Sequence, residues 1–132
     1  MPCQKNKTKL FAGAVNAGFP SPASDYVEDK LDLNEHLIRH PASTFFVRVA
    51  GDSMIGAGIF DGDILIVDRS IKPINLNIVI AVLDDEFTVK RLLISKNGAI
   101  LYPENPKYKP VEIKSDSGLI IWGVVTYVIH KL

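Results

Sequence analysis

Runs of apolar, often β-branched residues separated by short polar turns dominate the chain from Thr44 onward. Runs of this kind, bounded by Gly, Pro, Asn and Asp, are typical of β-strands. Asp84-Asp85 and Asn97-Gly98 are expected to close tight hairpins between successive strands. The pattern therefore predicts a mostly β domain. Its seven short strands are predicted at residues 45–49, 64–67, 78–83, 86–94, 99–102, 111–113 and 119–129.

The N-terminal third of the chain has a different pattern, with small and polar residues and few apolar runs. Leu33, Leu37 and Ile38 have the spacing of one face of a short amphipathic helix. Asp32 precedes them and is a typical N-cap residue. Ser21-Pro22 is predicted to begin a further helical turn, because proline is favoured at the first helical position. This segment is thus expected to be an arm followed by one short helix.

The amino-acid composition favours a globular domain and argues against several other classes of protein. The chain has 132 residues, of which 47% are hydrophobic and 23% charged, as expected for one globular domain with a tail. Lys+Arg and Asp+Glu number 15 each, and this balance argues against a general nucleic-acid binder. The single cysteine, Cys3, excludes an intramolecular disulfide and a multi-cysteine zinc site, and it fits a reducing, cytoplasmic setting. No apolar run approaches the ~20 residues of a membrane helix, so no membrane association is expected.

One serine stands where the chain is expected to turn sharply after a strand. It is Ser53, within Gly51-Asp52-Ser53-Met54. Such a turn projects the hydroxyl outward and aligns backbone N–H groups beside it, as an oxyanion hole requires. Serines in turns also commonly hydrogen-bond the backbone. The motif alone therefore leaves a structural role open.

A nucleophilic serine needs a base, and histidine is the usual one. The chain has only His36, His40 and His130. His36 and His40 are four residues apart on the predicted helix, which is more typical of a solvated helix face than of a metal pair. His130 lies next to the C-terminus. We expect none of the three to act as the base or to hold a metal.

Lysine is the alternative base, and Lys90 lies inside an apolar strand. Such a lysine often lies at a sheet edge or extends its amine to solvent. The functional alternative is a buried, neutral amine. An unperturbed lysine, with a pKa of about 10.4, is less than about 0.1% neutral at pH 7, whereas full burial can lower the pKa by up to roughly 3–5 units. A neutral amine beside a serine hydroxyl could accept its proton.

Three segments, in this order, resemble the self-cleaving serine–lysine peptidases of the LexA type, and within that family its UmuD branch. They are Gly51-Asp52-Ser53-Met54-Ile55, residues 61–68 and residues 86–92. Residues 17–28 are similar to the cleavage region of that branch, so the resemblance covers residues 17–132. It implies a LexA/UmuD-type peptidase domain of short, strongly bent strands with one short N-terminal helix.

The resemblance also implies roles for individual residues. Ser53 would be the nucleophile and Lys90 its general base, and the backbone N–H groups of Ser53 and Asp52 would hold the oxyanion. The bond cut would be Ala17–Gly18, in the chain's own arm. No cofactor and no metal are implied. Small residues at this bond suit an extended strand lying deep in a cleft.

The same resemblance implies a division of the chain and a set of partners. Residues 1–17 would be an arm removed by self-cleavage, residues 18–43 an arm with the short helix, and residues 44–132 the catalytic β domain. Filaments of RecA on single-stranded DNA would stimulate the cut during the SOS response to DNA damage. The product would be a homodimer and an accessory subunit of an error-prone, lesion-bypass Y-family polymerase of the UmuC type. With 17 residues before the cut, no helix–turn–helix domain and no direct sequence-specific DNA binding are expected.

Two other functions remain open at this point. One is a general serine–lysine peptidase of the signal-peptidase kind, which would need a membrane anchor. The other is a non-catalytic dimeric binding module that retains Ser53 and Lys90 only as structural residues.

Overall fold

The computed structural model describes residues 8–11, 13–19 and 28–132. The described residues up to Arg39 form one compact unit, and His40–Leu132 form another. In the first unit, strand β1 (Lys9–Phe11) pairs antiparallel with strand β2 (Glu28–Lys30). The sequence pattern did not predict this pair of three-residue strands. The turn predicted at Ser21-Pro22 lies outside the described residues.

The predicted short helix is present as α1 (Leu33–Leu37). Asp32 caps it as expected, because its carboxylate accepts a hydrogen bond from the backbone N–H of Asn34 at 3.0 Å. The helix ends before Ile38, whose backbone is extended.

All seven predicted strands are present in the second unit, and the mostly β fold class is confirmed. The observed bounds differ from the predicted ones by one residue or less. The strands are β3 (Thr44–Arg48), β4 (Ile64–Asp68), β5 (Ile78–Leu83), β6 (Glu86–Ser95), β7 (Gly98–Tyr102), β8 (Val111–Lys114) and β9 (Ile120–Ile129).

These strands form a single antiparallel sheet in the order β3-β4-β9-β5-β6-β7-β8. The C-terminal strand β9 lies between β4 and β5, so the two halves of the sheet are joined by the end of the chain. The register of β9 shifts once against each neighbour. Such shifts bend a sheet, which agrees with the expectation of strongly bent strands.

The hairpin between β5 and β6 is closed by the predicted Asp84-Asp85 turn. Both residues have positive φ, 50° and 62°, as a two-residue type I′ turn requires. The next hairpin turns one residue earlier than Asn97-Gly98 suggested. Ser95 pairs with Gly98, so Lys96 and Asn97 form the turn.

Two clusters of buried side chains make up the core of the sheet domain. The first contains Val49, Met54, Ile59, Leu65, Val67 and Ile80, with Val89 and Trp122 packed against it. The second contains Val79, Ala81, Leu92, Leu101, Ile113 and Val124. Met54 directly follows Ser53 and is only 1% exposed. The first cluster therefore fixes the turn that carries Ser53 against strands β5 and β6.

Candidate active site

Ser53 lies in the turn after β3, and the conformation of this turn is fixed by a glycine and by a hydrogen bond to a carboxylate. Gly51 has φ +96°, a conformation that other residues rarely adopt. Its N–H donates to the Asp61 carboxylate at 2.7 Å. The two motifs noted in the sequence, one around Ser53 and one beginning at Asp61, are thus in direct contact. With Met54 buried beneath it, the Ser53 hydroxyl is left at the half-buried rim of the core.

Lys90 on β6 reaches this hydroxyl. Its Nζ lies 3.0 Å from Ser53 Oγ, 2.7 Å from Thr88 Oγ1 and 3.0 Å from the carbonyl oxygen of Val89. The two side chains that the sequence singled out, separated by 37 positions, are therefore within hydrogen-bond distance of one another. This is the nucleophile–base separation expected of an activated serine.

The surroundings of Lys90 favour its neutral form. Burial lowers the pKa of Lys90 below the ordinary lysine value, because a charged amine loses hydration in the cleft. Across the described residues, no carboxylate oxygen lies within the 4.0 Å of an ion pair with Lys90. Among the residues that the structure describes, no group of opposite charge therefore offsets the burial of Lys90 by direct contact.

The three contacts of Lys90 also orient its lone pair. A neutral amine has two N–H donors and one lone pair. If the donors are directed to Thr88 Oγ1 and to the Val89 carbonyl, the lone pair remains for the proton of Ser53. Thr88 was not among the site residues predicted from the sequence. Its position two residues before Lys90, on the same face of the strand, is the signal that could have found it.

A cleft of about 530 Å³ opens beside this pair. Its polar end is formed by the Ser53 turn, Thr88 and Lys90, and the rest is largely apolar. Trp122 lies between Phe45 and Phe87, with ring centroids 5.2 and 6.0 Å away. An apolar cleft that ends in a serine and a half-buried amine suits an extended peptide of small and apolar residues. The apolar lining residues are Val47, Val49, Ala50, Leu65, Ile80, Phe87, Val89 and Trp122.

The remaining predicted site residues are also placed. Ala17 and Gly18 are exposed in the connection between β1 and β2, and a Cβ built on Gly18 meets no heavy atom within 4 Å. Asp52 lies on the wall of the cleft beside Ser53, and its carboxylate accepts a hydrogen bond from the Tyr108 hydroxyl. That bond, together with the charge of Asp52 and burial, raises the pKa of Tyr108.

His40 lies outside α1, so its predicted place on the helix face with His36 is wrong. It comes three residues after the end of the helix and contacts the buried Asp68 carboxylate at 2.6 Å. Burial alone would raise the pKa of Asp68, but hydrogen bonds from Ser70, His40 and Ser43 lower it to about 2. His40 thus ties the start of β3 to the end of β4.

His130 makes a similar contact at the other end of the domain. Its Nδ1 lies 2.6 Å from the carboxylate of the buried Asp63, and its ring packs 5.0 Å from that of Phe60. Neither His40 nor His130 lines the cleft. Where the structure describes the chain, no group of three or more His, Cys, Asp and Glu residues is arranged to hold a metal ion. No helix in the same residues is long and apolar enough to span a membrane.

Comparison with known proteins gives consistent matches. A family model described as Peptidase S24-like matches residues 9–126. The chain is 48% identical over 133 residues to protein ImpA of Salmonella typhimurium, which covers 92% of this chain and 83% of ImpA. It is 52% identical over 122 residues to protein SamA of Salmonella typhimurium strain LT2, covering 92% and 84%. It is 44% identical over 112 residues to the LexA repressor of Xylella fastidiosa strain M12, covering 85% of this chain and 53% of the repressor.

These matches confirm the resemblance to the LexA-type peptidases and to their UmuD branch. The family model extends from β1 into β9 and includes both the Ser53 turn and the strand of Lys90. The chain therefore belongs to the Peptidase S24-like family.

Proposed function

We propose that this chain is a serine endopeptidase that cuts its own Ala17–Gly18 bond with Ser53 as nucleophile and Lys90 as general base. The observation that carries the proposal is the 3.0 Å contact between Lys90 Nζ and Ser53 Oγ at the polar end of an apolar cleft. The family membership supports peptide-bond hydrolysis as the reaction. The small, exposed residues Ala17 and Gly18 support the choice of bond.

In the first step, Ser53 Oγ attacks the carbonyl carbon of Ala17 while Lys90 Nζ takes the hydroxyl proton. The carbonyl oxygen becomes an oxyanion that the N–H groups of Ser53 and Asp52 hold. When the tetrahedral intermediate collapses, the C–N bond breaks. The Gly18 nitrogen leaves as an amine with the proton that Lys90 carried.

In the second step, water attacks the ester between Ser53 Oγ and Ala17. Lys90, again neutral, takes a proton from this water and returns one to Ser53 Oγ as the ester breaks. The products are residues 1–17, ending in a carboxylate, and residues 18–132. Since β1 leaves with residues 1–17, strand β2 loses the partner with which it pairs in the uncut chain.

The direct test is incubation of the purified chain alone at pH 10, followed by gel electrophoresis and mass spectrometry. The expected result is conversion to fragment 18–132 with Gly18 as the new N-terminus. A rate constant independent of protein concentration would indicate cleavage within one chain, and one that rises with concentration would indicate cleavage between chains. A chain that stays intact would support the non-catalytic alternative. Repeated turnover of an added peptide with the sequence of residues 13–22 would support the signal-peptidase alternative.

Ala17→Asp is expected to slow self-cleavage about 1000-fold with Ser53 and Lys90 unchanged. The side chain before the cut must enter the cleft beside Ser53, where a carboxylate would lose its hydration and lie next to the developing oxyanion. Burial of an unpaired charge costs several kcal/mol, and ~4 kcal/mol corresponds to about 1000-fold in rate. If the new carboxylate pairs with protonated Lys90, the rate falls further because that lysine can no longer accept a proton.

The matched control for this substitution is Ala17→Ser, which is small and uncharged and should cut within about tenfold of the wild-type rate. Both rates are measured by the appearance of fragment 18–132, and mass spectrometry locates the new N-terminus. Wild-type cleavage by Ala17→Asp, with an N-terminus other than Gly18, would show that a different bond is cut.

The cellular setting is part of the same proposal. We infer from the family that filaments of RecA on single-stranded DNA stimulate the cut, and that dimeric fragment 18–132 serves a Y-family polymerase of the UmuC type. The end of β9 offers apolar surface for a dimer, since Tyr127, Val128 and Ile129 are 43%, 37% and 48% exposed. A monomeric fragment in sedimentation at micromolar concentration, or a cleavage rate unchanged by the filaments, would contradict this setting.

A further inference from the structure

The loop between β7 and β8, residues 103–110, contacts the Ser53 turn at several points. The side-chain amide of Asn105 donates to the carbonyl oxygen of Asp52 at 2.9 Å. The Gly56 N–H donates to the carbonyl oxygen of Glu104 at 2.7 Å. A Cβ on Gly56 would lie 2.7 Å from that oxygen, so only glycine allows this approach. The turn that carries the nucleophile therefore rests on this loop.

The same loop is tied to the strand that carries the base. Arg91 follows Lys90 on β6, and its Nε lies 2.6 Å from a carboxylate oxygen of Glu104. The guanidinium also donates to the Leu76 carbonyl at 2.7 Å. Glu104 thus contacts the Ser53 turn through its backbone and β6 through its side chain. The loop joins the two elements that set the separation of Ser53 and Lys90.

Asn105 is a buried member of this loop and is held by two side-chain hydrogen bonds. It is only 5% exposed. Its side-chain oxygen accepts from the backbone N–H of Lys107 at 3.0 Å, and its side-chain nitrogen donates to Asp52. With one acceptor and one donor contact assigned, the amide has a single orientation that satisfies both. A buried amide held in this way is a rigid donor to the Asp52 carbonyl.

A peptide bond transmits that constraint to the other side of the peptide plane. The Asp52–Ser53 bond is trans, so the carbonyl of Asp52 and the N–H of Ser53 point in opposite directions in one rigid plane. We propose that Asn105 is a positioning residue for the oxyanion hole: by holding the Asp52 carbonyl, it directs the Ser53 N–H toward the oxyanion. This inference rests on the proposed self-cleavage and assigns a further residue to it.

The effect of losing this donor follows from how an oxyanion hole acts. Its donors stabilise the transition state only if they are already aligned, and removal of one donor costs about 10²–10³-fold in rate. Without Asn105 the Ser53 N–H is still present, but the Asp52 carbonyl keeps only the longer hydrogen bond from the Ile55 N–H, at 3.4 Å, so the peptide plane is held less firmly. We therefore expect Asn105→Ala to lower the maximal self-cleavage rate by about 10–100-fold, a smaller loss than full removal of a donor.

The test measures the self-cleavage rate of Asn105→Ala from pH 7 to 11 beside wild type, Ser53→Ala and Asn77→Ala. Asn77 is the matched control, because its side chain also holds a loop, accepting from the Ile74 N–H at 2.9 Å, away from the cleft. The expected result is a plateau 10–100-fold below wild type with the midpoint of the pH profile unchanged. The control should keep the wild-type plateau.

The midpoint separates positioning from a general loss of structure. If Asn105 only held the fold, its loss would admit water to the cleft, and the midpoint set by Lys90 would move upward toward that of an exposed lysine. Such a shift in Asn105→Ala, or a plateau equal to that of wild type, would overturn the inference about Asn105. The proposed function would still stand as long as the wild type cuts itself. Failure of the wild type to cut overturns both.

A second variant covers the case in which Asn105→Ala does not fold. Asn105→Asp keeps the acceptor for the Lys107 N–H, removes the donor to Asp52 and adds a negatively charged carboxylate in its place. Its plateau is expected to fall at least as far as that of the alanine variant, because an oxygen now faces the Asp52 carbonyl oxygen. A wild-type plateau for a folded Asn105→Asp would overturn the inference.

Discussion

Replacement of Ser53 with alanine is expected to abolish formation of fragment 18–132 and to leave the sheet domain folded. Without the hydroxyl no ester with Ala17 can form, so the rate should fall on the order of 10⁴-fold or more. The fold should tolerate the change. Lys90 keeps its hydrogen bonds to Thr88 Oγ1 and to the Val89 carbonyl, so its amine stays in place without the Ser53 hydroxyl.

The control for this substitution is Ser117→Ala, which removes the same group from another turn of the sheet domain. The Ser117 hydroxyl donates only to the Lys114 carbonyl, at 2.7 Å, and is exposed. That variant should cut at the wild-type rate. Fluorescence of Trp122, the only tryptophan, reports on the cleft and should be the same in both variants. Fragment 18–132 at a normal rate from Ser53→Ala would remove Ser53 from the reaction.

The strands of the sheet domain could be predicted because their signals are local. Runs of β-branched residues end at residues that disfavour strands, and the Asp84-Asp85 pair tolerates the positive φ that closes its hairpin. The α1 helix is similar, since Asp32 is a local cap. Where a local signal is shared by neighbouring residues, it locates an element only to within a residue, as at the turn near Asn97-Gly98.

The order of the strands could not be read in the same way. Strand β9 pairs with β4 and β5, which lie far away along the chain, and no hairpin signal marks such a pairing. The short strands β1 and β2 were missed because three residues carry too little pattern to distinguish a strand from an arm. His40 was misplaced because its partner, Asp68, is 28 residues away at the end of strand β4.

The candidate site also combines residues that have a local sequence signal with residues that are recognised only by long-range contacts. Ser53 and Lys90 could be named from their motifs, and the first core cluster, with Met54 and Val89, explains why the fold brings them together. Thr88 and Asn105 carry no motif that the sequence analysis used. Their roles depend on which atom they contact, and for Asn105 that contact spans 53 positions.

Lys90→Arg is expected to leave no measurable self-cleavage at any pH up to about 11. The guanidinium stays protonated in this range and has no lone pair to accept the Ser53 proton. General-base catalysis contributes about 10²–10⁴-fold, and a charge fixed beside the hydroxyl lowers the rate further. The control is Lys96→Arg in the exposed turn between β6 and β7, which should keep the wild-type rate.

The pH dependence of the wild type identifies Lys90 as the base independently of the substitution. Only the neutral amine can accept the proton, so the rate should rise about tenfold per pH unit and then level off where Lys90 is mostly neutral. Because burial lowers the pKa of Lys90, the midpoint should lie below the ordinary lysine value of about 10.4. The pKa of Tyr108 shifts in the opposite direction, because its hydrogen bond to the Asp52 carboxylate and the charge of that carboxylate raise it. A rate that does not change with pH, or a rising profile that persists in Lys90→Arg, would assign the base to another group.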